Sequence, residues 1–528
     1  MENLQNFFKL KTRTIKKNKG EFFTIALILL IGAFLRLYKI DGFMTFLGDE
    51  GRDAIVVRRL LVNFDLILIG PGTSIGNMYL GPLYYYLSAP FLFLANYSPV
   101  GPSVMVALFG LATVYLIWYI SKIWFGKQAA VVASLLYALS PIVIIYSRSS
   151  WNPNIMPFFS LLTIVCIWKI WNEGKYIWFP VLGISFAFVL QSHYLGLLLA
   201  PTLLLFWALK YWSLIRNSSL AIKSFWKSTW IGLAIFAFLM SALLVFDLRH
   251  DWMNFNAIKI FFTQRQETVS IKPWKSIPNL FPLVRDNLSV RIVSGADPFV
   301  GGVSTVVIGV LFVLTVLFVL RKFRKLVFDE EKKDYSGRGL VVLTAWLFFG
   351  VFGLGLYKQH IYDHYFGFLF PAVFLLIGGI YQKIYNFHFE SLKIIFTAWI
   401  VLLVGTYIVN SPIRGVPNYQ MRRAQEVAKQ IRKDVGSAKF NLAVIAQQNY
   451  EDGYQYFLEK NGANVTDIDA QRLQETVGEF LYVVCELPEE KCDPTHSPKA
   501  EIANFGWSKI EAAWEVEGVT VYKLAHAI

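Results

Sequence analysis

The stretch Phe46-Leu47-Gly48-Asp49-Glu50-Gly51-Arg52-Asp53 comes shortly after the first long apolar run of the chain, Phe22 to Tyr38. Four of its eight residues are charged, and two carboxylates stand side by side where a membrane helix ends and a loop begins. A paired carboxylate at the lip of a bilayer is costly to desolvate unless it has a task there. This stretch therefore reads as a reacting group, and the rest of the chain as the scaffold that holds Asp49 and Glu50 against a lipid-borne substrate.

Composition supports that scaffold. The 528 residues are 55% hydrophobic, only 16% charged and 16% aromatic, with mean hydropathy +0.47. Soluble domains rarely reach such values, and a multi-span helical membrane protein fits them. The net charge of +14 sits in short clusters between apolar runs. That is the pattern of the positive-inside rule, not of a nucleic-acid binder. Three cysteines exclude a disulfide scaffold and a Cys-rich metal site. Cys485 and Cys492 either pair, if their domain lies outside the cytoplasm, or remain two thiols. The first apolar run lacks a small-residue cleavage motif and reads as an uncleaved span. The basic segment 1–21 before it belongs in the cytoplasm, which sets Asp49 and Glu50 outside.

Spans are expected near 22–38, 102–120, 129–146, 155–171, 176–191, 193–210, 228–246, 303–320, 340–356, 365–382 and 393–410. Basic loops at Lys122 and Lys127, Lys169 and Lys175, Lys210 to Lys227, Arg321 to Arg338, and Lys383 with Lys393 mark the inside. Their parity holds when Tyr79 to Ala95, with Pro82, Pro90 and the cluster Tyr84 to Tyr86, lies in the interface as part of a first outer loop 39–101. A count of twelve or thirteen spans would put several basic loops on the wrong side. A second outer loop, 247–302, is too long to be a simple connector. It is expected to hold a helix along the membrane and to cover the site; it carries Arg249, His250, Arg265, Arg285 and Arg291. After residue 411 the pattern changes to amphipathic helices near 422–431 and 450–460 and strands near 440–446, 480–485 and 519–524. This reads as a small α/β domain, 412–528, outside the plasma membrane.

The outer loops gather unusual residues at one depth: Asp49, Glu50, Arg52 and Arg58; Arg148 and Asn152; His193 and Tyr194; Lys358 and His364. A carboxylate can take the proton of an acceptor hydroxyl, while cations hold an anionic lipid phosphate ester as it leaves. His360 and His364 would share a face if helical and so raise a divalent metal as an alternative. No further ligand is placed beside them, and no cofactor is expected.

Gly48-Asp49-Glu50, Gly81-Pro82-Leu83-Tyr84-Tyr85-Tyr86, Ser140-Pro141, Tyr146-Ser147-Arg148 and Trp151-Asn152-Pro153-Asn154 together resemble GT-C-type membrane glycosyltransferases. The resemblance is to the group related to dolichyl-phosphate-mannose protein mannosyltransferases and to the lipid A aminoarabinose transferases, and it covers about residues 20–410. It implies a GT-C-like fold, a polyprenyl-phosphate sugar donor, and transfer with inversion to a hydroxyl of a glycan, lipid or protein. The family's acid pair falls on Asp49 and Glu50, with Asp49 as base. Donor-phosphate roles fall on Arg148 and Lys358. The rival reading is a polyprenyl-lipid transporter or flippase, which would place its polar residues at mid-membrane. Here they gather at the outer rim.

Overall fold

The computed structural model describes residues 19–73, 76, 78–263, 268–270, 272–328, 334–386 and 390–527. The tail before Lys19, together with Arg265, Lys332 and Lys333, lies outside the described residues.

Every expected span coincides with helix. In order these are α1 (Lys19–Leu37), α4 (Val100–Trp124), α5 (Lys127–Leu139), α6 (Met156–Glu173), α7 (Trp178–Ser192), α8 (Ala200–Arg216), α9 (Ile222–Arg249), α11 (Pro298–Phe328), α12 (Tyr335–Gly355), α13 (Phe370–Asn386) and α14 (Glu390–Val409). Between them stand α2 (Gly48–Asn63), α3 (Leu83–Leu94) and α10 (Met253–Thr263). Among the described residues eight helical segments are long and apolar enough to cross a bilayer, so this is a multi-span membrane protein. The expected span 129–146 is broken: α5 stops at Ser140, and Pro141 opens a separate short helix, Pro141–Tyr146.

Helix α3 has 12 residues, or about 18 Å at 1.5 Å per residue, too short for a hydrocarbon core of about 30 Å. Its tyrosines do not form an interfacial belt, however. Tyr84 and Tyr85 are buried between α2 and α4 and hydrogen-bonded there, while Tyr86 bonds the Ile67 backbone. A phenol that buries its ring needs a partner for its hydroxyl, and the polar face of α2 supplies one.

The long connection 247–302 contains α10 and short helical pieces at Pro273–Ser276, Ile277–Pro282 and Leu283–Val293, the last with π geometry. Asp247 fastens α10 by accepting from the backbone N–H of Asn254 (2.7 Å) and Phe255 (3.0 Å). Asn254 in turn accepts from Tyr79 N–H at 2.8 Å, which ties this connection to the first outer loop.

The C-terminal domain comprises α15 (Gln420–Val435), β1 (Phe440–Ile445), α16 (Asp452–Lys460), β2 (Phe480–Cys485), β3 (Ser508–Val516) and β4 (Val519–His526). Its sheet order is β1-β2-β4-β3, with β1 and β2 parallel and the other pairs antiparallel. Strand β3 was not expected from sequence. It is a mostly exposed edge strand in which Ile510, Ala512, Trp514 and Val516 alternate with Glu511, Ala513 and Glu515, and Trp514 and Val516 pack on the domain core. Its link to β4 is a two-residue turn, Glu517-Gly518, with both φ positive, the geometry of a type I′ hairpin. Cys485 and Cys492 are joined in a disulfide. The domain docks on the bundle through a continuous apolar layer: Met44, Phe46, Ile55 and Ala107 meet Val427, Ile431, Tyr456 and Phe457.

Candidate active site

The charged stretch folds as the first turns of α2. Glu50 stands at the third helical position and reaches back to accept from Leu47 N–H at 3.0 Å, satisfying the amide at the start of the helix. Two acids in the first turn also complement the positive end of the helix. The next free amide, Gly48 N–H, is capped from the other end of the chain, by Asn449 Oδ1 at 2.9 Å. The glycines permit this approach. A Cβ on Gly48 would lie 2.3 Å from the Tyr450 ring, and one on Gly51 would lie 2.3 Å from the Gly453 nitrogen. The start of α2 therefore rests directly on the start of α16 and the loop before it.

Asp49 accepts from Arg52 Nη1 at 2.8 Å and from the hydroxyl of Tyr450. Both bonds fall on Oδ1, leaving Oδ2 without a partner among the described residues. Its side chain is 40% exposed. Arg52 also reaches Asp53 Oδ1 through Nη2 (2.8 Å) and Nε (3.2 Å), and the same oxygen accepts from Tyr85 Oη at 3.0 Å. This chain of bonds runs from Tyr85 through Asp53 and Arg52 to Asp49 and Tyr450, and it fixes the carboxylate's direction. Glu50, 8% exposed, is pushed up to about 7 by burial. It turns toward its own helix start, the geometry of a residue that positions Asp49.

Two cavities meet at Asp49. The first, about 240 Å³, is lined by Asp49, Arg52, Trp151, Asn152, His193, Tyr194 and His364, with Pro71 to Thr73 and Tyr365. The second, about 280 Å³, is lined by Asp49, Glu50, Thr45, Ser149, Trp151 and Asn154 and, from the C-terminal domain, Gln448 and Tyr450. Asp49 and Trp151 border both. Burial holds the His193 and His364 imidazoles down at about 3 and 4, so both are neutral near pH 7.

Of the residues singled out from sequence, Asp49, Arg52, Asn152, His193, Tyr194 and His364 line the first cavity. Asn152 holds its loop by donating to Ser192 O at 2.7 Å. Arg58, Arg148 and Lys358 border neither cavity. Arg58 lies two turns along α2, charge-coupled to Tyr456 of the C-terminal domain. Arg148 is 2% exposed, donates to Tyr38 O at 2.8 Å and lies over the Phe43 ring. Lys358 anchors backbone, its N–H donating to Thr268 O. His360 and His364 do not share a helical face: His360 precedes the short helix Asp363–Phe366 and packs on Tyr362. Among the described residues no three His, Cys, Asp or Glu side chains converge as a metal site requires.

Sequence reading missed the contribution of the C-terminal domain. Gln448-Asn449-Tyr450-Glu451-Asp452-Gly453 follows β1, a strand-to-helix turn at one end of a sheet. That is where α/β units carry their sites, and it is the one signal that could have found Tyr450.

Residues 80–246 match the family model described as dolichyl-phosphate-mannose-protein mannosyltransferase. Two proteins of Bacillus subtilis (strain 168), YkcB and YycA, provisionally named mannosyltransferases, are 31% and 30% identical over 122 and 105 residues. These segments cover 22% and 19% of this chain but only 17% and 15% of those proteins, so the chain spans less than a fifth of the curated relatives it matches. Among solved structures, ArnT from Cupriavidus metallidurans bound to undecaprenyl phosphate is similar with a TM-score of 0.58 at 11% identity, covering 96% of this chain and 98% of that one. The archaeal oligosaccharyltransferase AglB from Archaeoglobus fulgidus, in complex with an inhibitory peptide and a dolichol-phosphate, gives a TM-score of 0.51 at 13% identity, covering 89% of this chain and 70% of that one. These findings bear out the family resemblance drawn above, and the fold is of the GT-C type.

Proposed function

We propose that this chain is a membrane glycosyltransferase that moves a sugar from a polyprenyl-phosphate donor to an acceptor hydroxyl, with inversion. The observation that carries the reading is a fixed, half-exposed carboxylate at the junction of two cavities. Asp49 Oδ2 takes the proton of the acceptor hydroxyl, and the acceptor oxygen forms its bond to the anomeric carbon from the face opposite the phosphate. The bond between that carbon and the phosphate oxygen breaks, and the lipid phosphate leaves with the electron pair. Arg52 borders the first cavity and would meet the phosphate oxygens there with Asn152 and Tyr194. That neighbours of the same fold hold undecaprenyl phosphate and a dolichol-phosphate supports the donor class. The reading requires no metal or cofactor, and the acceptor class is developed below.

The reaction faces the extracytoplasmic side of the plasma membrane in this reading, with the N-terminus inside. The basic clusters between spans support that orientation, as does the disulfide in the C-terminal domain, since such bonds persist in oxidising compartments. The test is sugar release from a panel of polyprenyl-phosphate sugars by purified protein, wild type against Asp49→Asn. Turnover should collapse, by a factor of at least about 100 for the loss of a general base, while lipid binding persists. A variant that turns over like wild type would refute the assignment.

A further inference from the structure

We infer that the second cavity, at the seam between the span bundle and the C-terminal domain, is the acceptor subsite and takes an uncharged, polyhydroxylated ring such as the end of a glycan. The inference rests on the glycosyltransferase reading and narrows its acceptor. Three observations carry it. First, beside the apolar Leu47 and Ile145 the cavity's described lining presents hydroxyl, amide and aromatic groups, among them Ser149, Asn154, Gln448, Tyr450 and Trp151, and contains no Lys, Arg or His. Its charges are Asp49 and Glu50 alone. An anionic acceptor would be repelled by the base it must reach, and no cation in this lining offsets that repulsion. A neutral ring meets no such barrier.

Second, Asn154 is 8% exposed, and its amide nitrogen is spent on Ser149 O at 2.8 Å, but its Oδ1 has no partner. A buried amide oxygen left unpaired is costly, and a native site that keeps one commonly has a donor to offer it. A ligand hydroxyl is such a donor, and it would satisfy Asn154 while another hydroxyl of the same ring lies at Asp49. Third, Trp151 borders both cavities. Its flat apolar face suits the C–H face of a sugar ring, with polar groups around the edge to fix orientation. Gln448 comes from the exposed turn after β1, so the C-terminal domain supplies part of the acceptor's selection.

The experiment is saturation-transfer NMR on the full chain in lipid nanodiscs. The probes are methyl glucoside, methyl mannoside and methyl galactoside, each against the corresponding sugar 6-phosphate. At least one methyl glycoside should bind saturably, and its phosphate should bind at least about tenfold more weakly. Loss of one hydrogen bond in Gln448→Ala or Asn154→Ala should weaken the glycoside about three- to tenfold. Gln448 is exposed, so its variant tests the site even if Asn154→Ala fails to fold. No saturable glycoside binding, equal or tighter binding of the phosphates, or unchanged affinity in Gln448→Ala would overturn the inference. Glycoside binding without sugar release from any donor would retain the subsite and refute the transferase reading. Sugar release without glycoside binding would do the reverse.

Discussion

Gly51→Ala tests whether the C-terminal domain is part of the catalytic apparatus. The added Cβ would stand 2.3 Å from the Gly453 nitrogen, 2.4 Å from the Asp452 carbonyl carbon and 2.5 Å from its oxygen. All three are backbone, so no rotamer change relieves the clash. Ordinary contact begins near 3.4 Å, and α2 and the start of α16 must therefore part by about 1 Å. That displacement carries Tyr450 away from Asp49 and removes the cap on Gly48 N–H. Overpacking of this kind costs about 1–3 kcal/mol of stability, and a misplacement of about 1 Å in a reacting group lowers rate about a hundredfold. The assay is sugar release at saturating donor, with a thermal melt on the same preparation. Gly405→Ala serves as the control, since nothing lies within 4 Å of its Cβ direction. A Gly51→Ala protein that turns over within about threefold of wild type would refute the claim that the clamp orients the base.

Three further outcomes follow from the same geometry. Glu50 holds its proton more tightly folded (about 7) than unfolded (4.5), so its ionisation costs stability as pH rises between those values, reaching about 3 kcal/mol above pH 7. Glu50→Gln keeps an acceptor for Leu47 N–H and cannot ionise; it should melt higher than wild type at pH 8 and equally at pH 4.5, and a pH-independent difference would contradict the assignment. Arg148→Met should keep turnover within about threefold while losing about 1 kcal/mol for the bond to Tyr38 O; a collapse of donor affinity, read as KM, would restore the phosphate role that the family resemblance implies. Reducing the Cys485–Cys492 bond, which closes a loop with a sequence separation of 7, should destabilise the C-terminal domain by about 2–3 kcal/mol, read as denaturant midpoints with and without reductant.

The spans were legible because each is a long apolar run between basic loops, and burial in lipid leaves the backbone no alternative to helix. Asp49 stood out in the sequence because charge beside a bilayer is expensive, and the structure places it at the border of two cavities. The docking of α2 on α16 was not. Gly48 and Gly51 look in sequence like the glycines of any turn, and only the distant partners Tyr450 and Gly453 show that they exist for close approach. Likewise, the tyrosines of α3 carry the signature of an interfacial belt. The bond by which Tyr85 aligns Asp53 depends on a burial that local pattern does not encode. Strand β3 was legible in the alternation of Ile510, Ala512, Trp514 and Val516 and was passed over. The histidine spacing at 360 and 364 suggested a shared helical face because spacing alone does not reveal that His360 lies before the helix.

One of the two bonds that hold Asp49, the one from Tyr450, joins residues 401 positions apart in the chain. Synthesis proceeds at about 5–20 residues per second, so roughly 20–80 s separate the emergence of the carboxylate from that of the tyrosine that holds it. During that interval the first helices are inserted while Asp49 has Arg52 but not Tyr450 to hold it. On the proposed reading, a protein assembled this way is latent until its C-terminal domain has folded against the bundle. Chains interrupted before Tyr450 would then populate the bilayer without the hydroxyl that helps to aim Asp49.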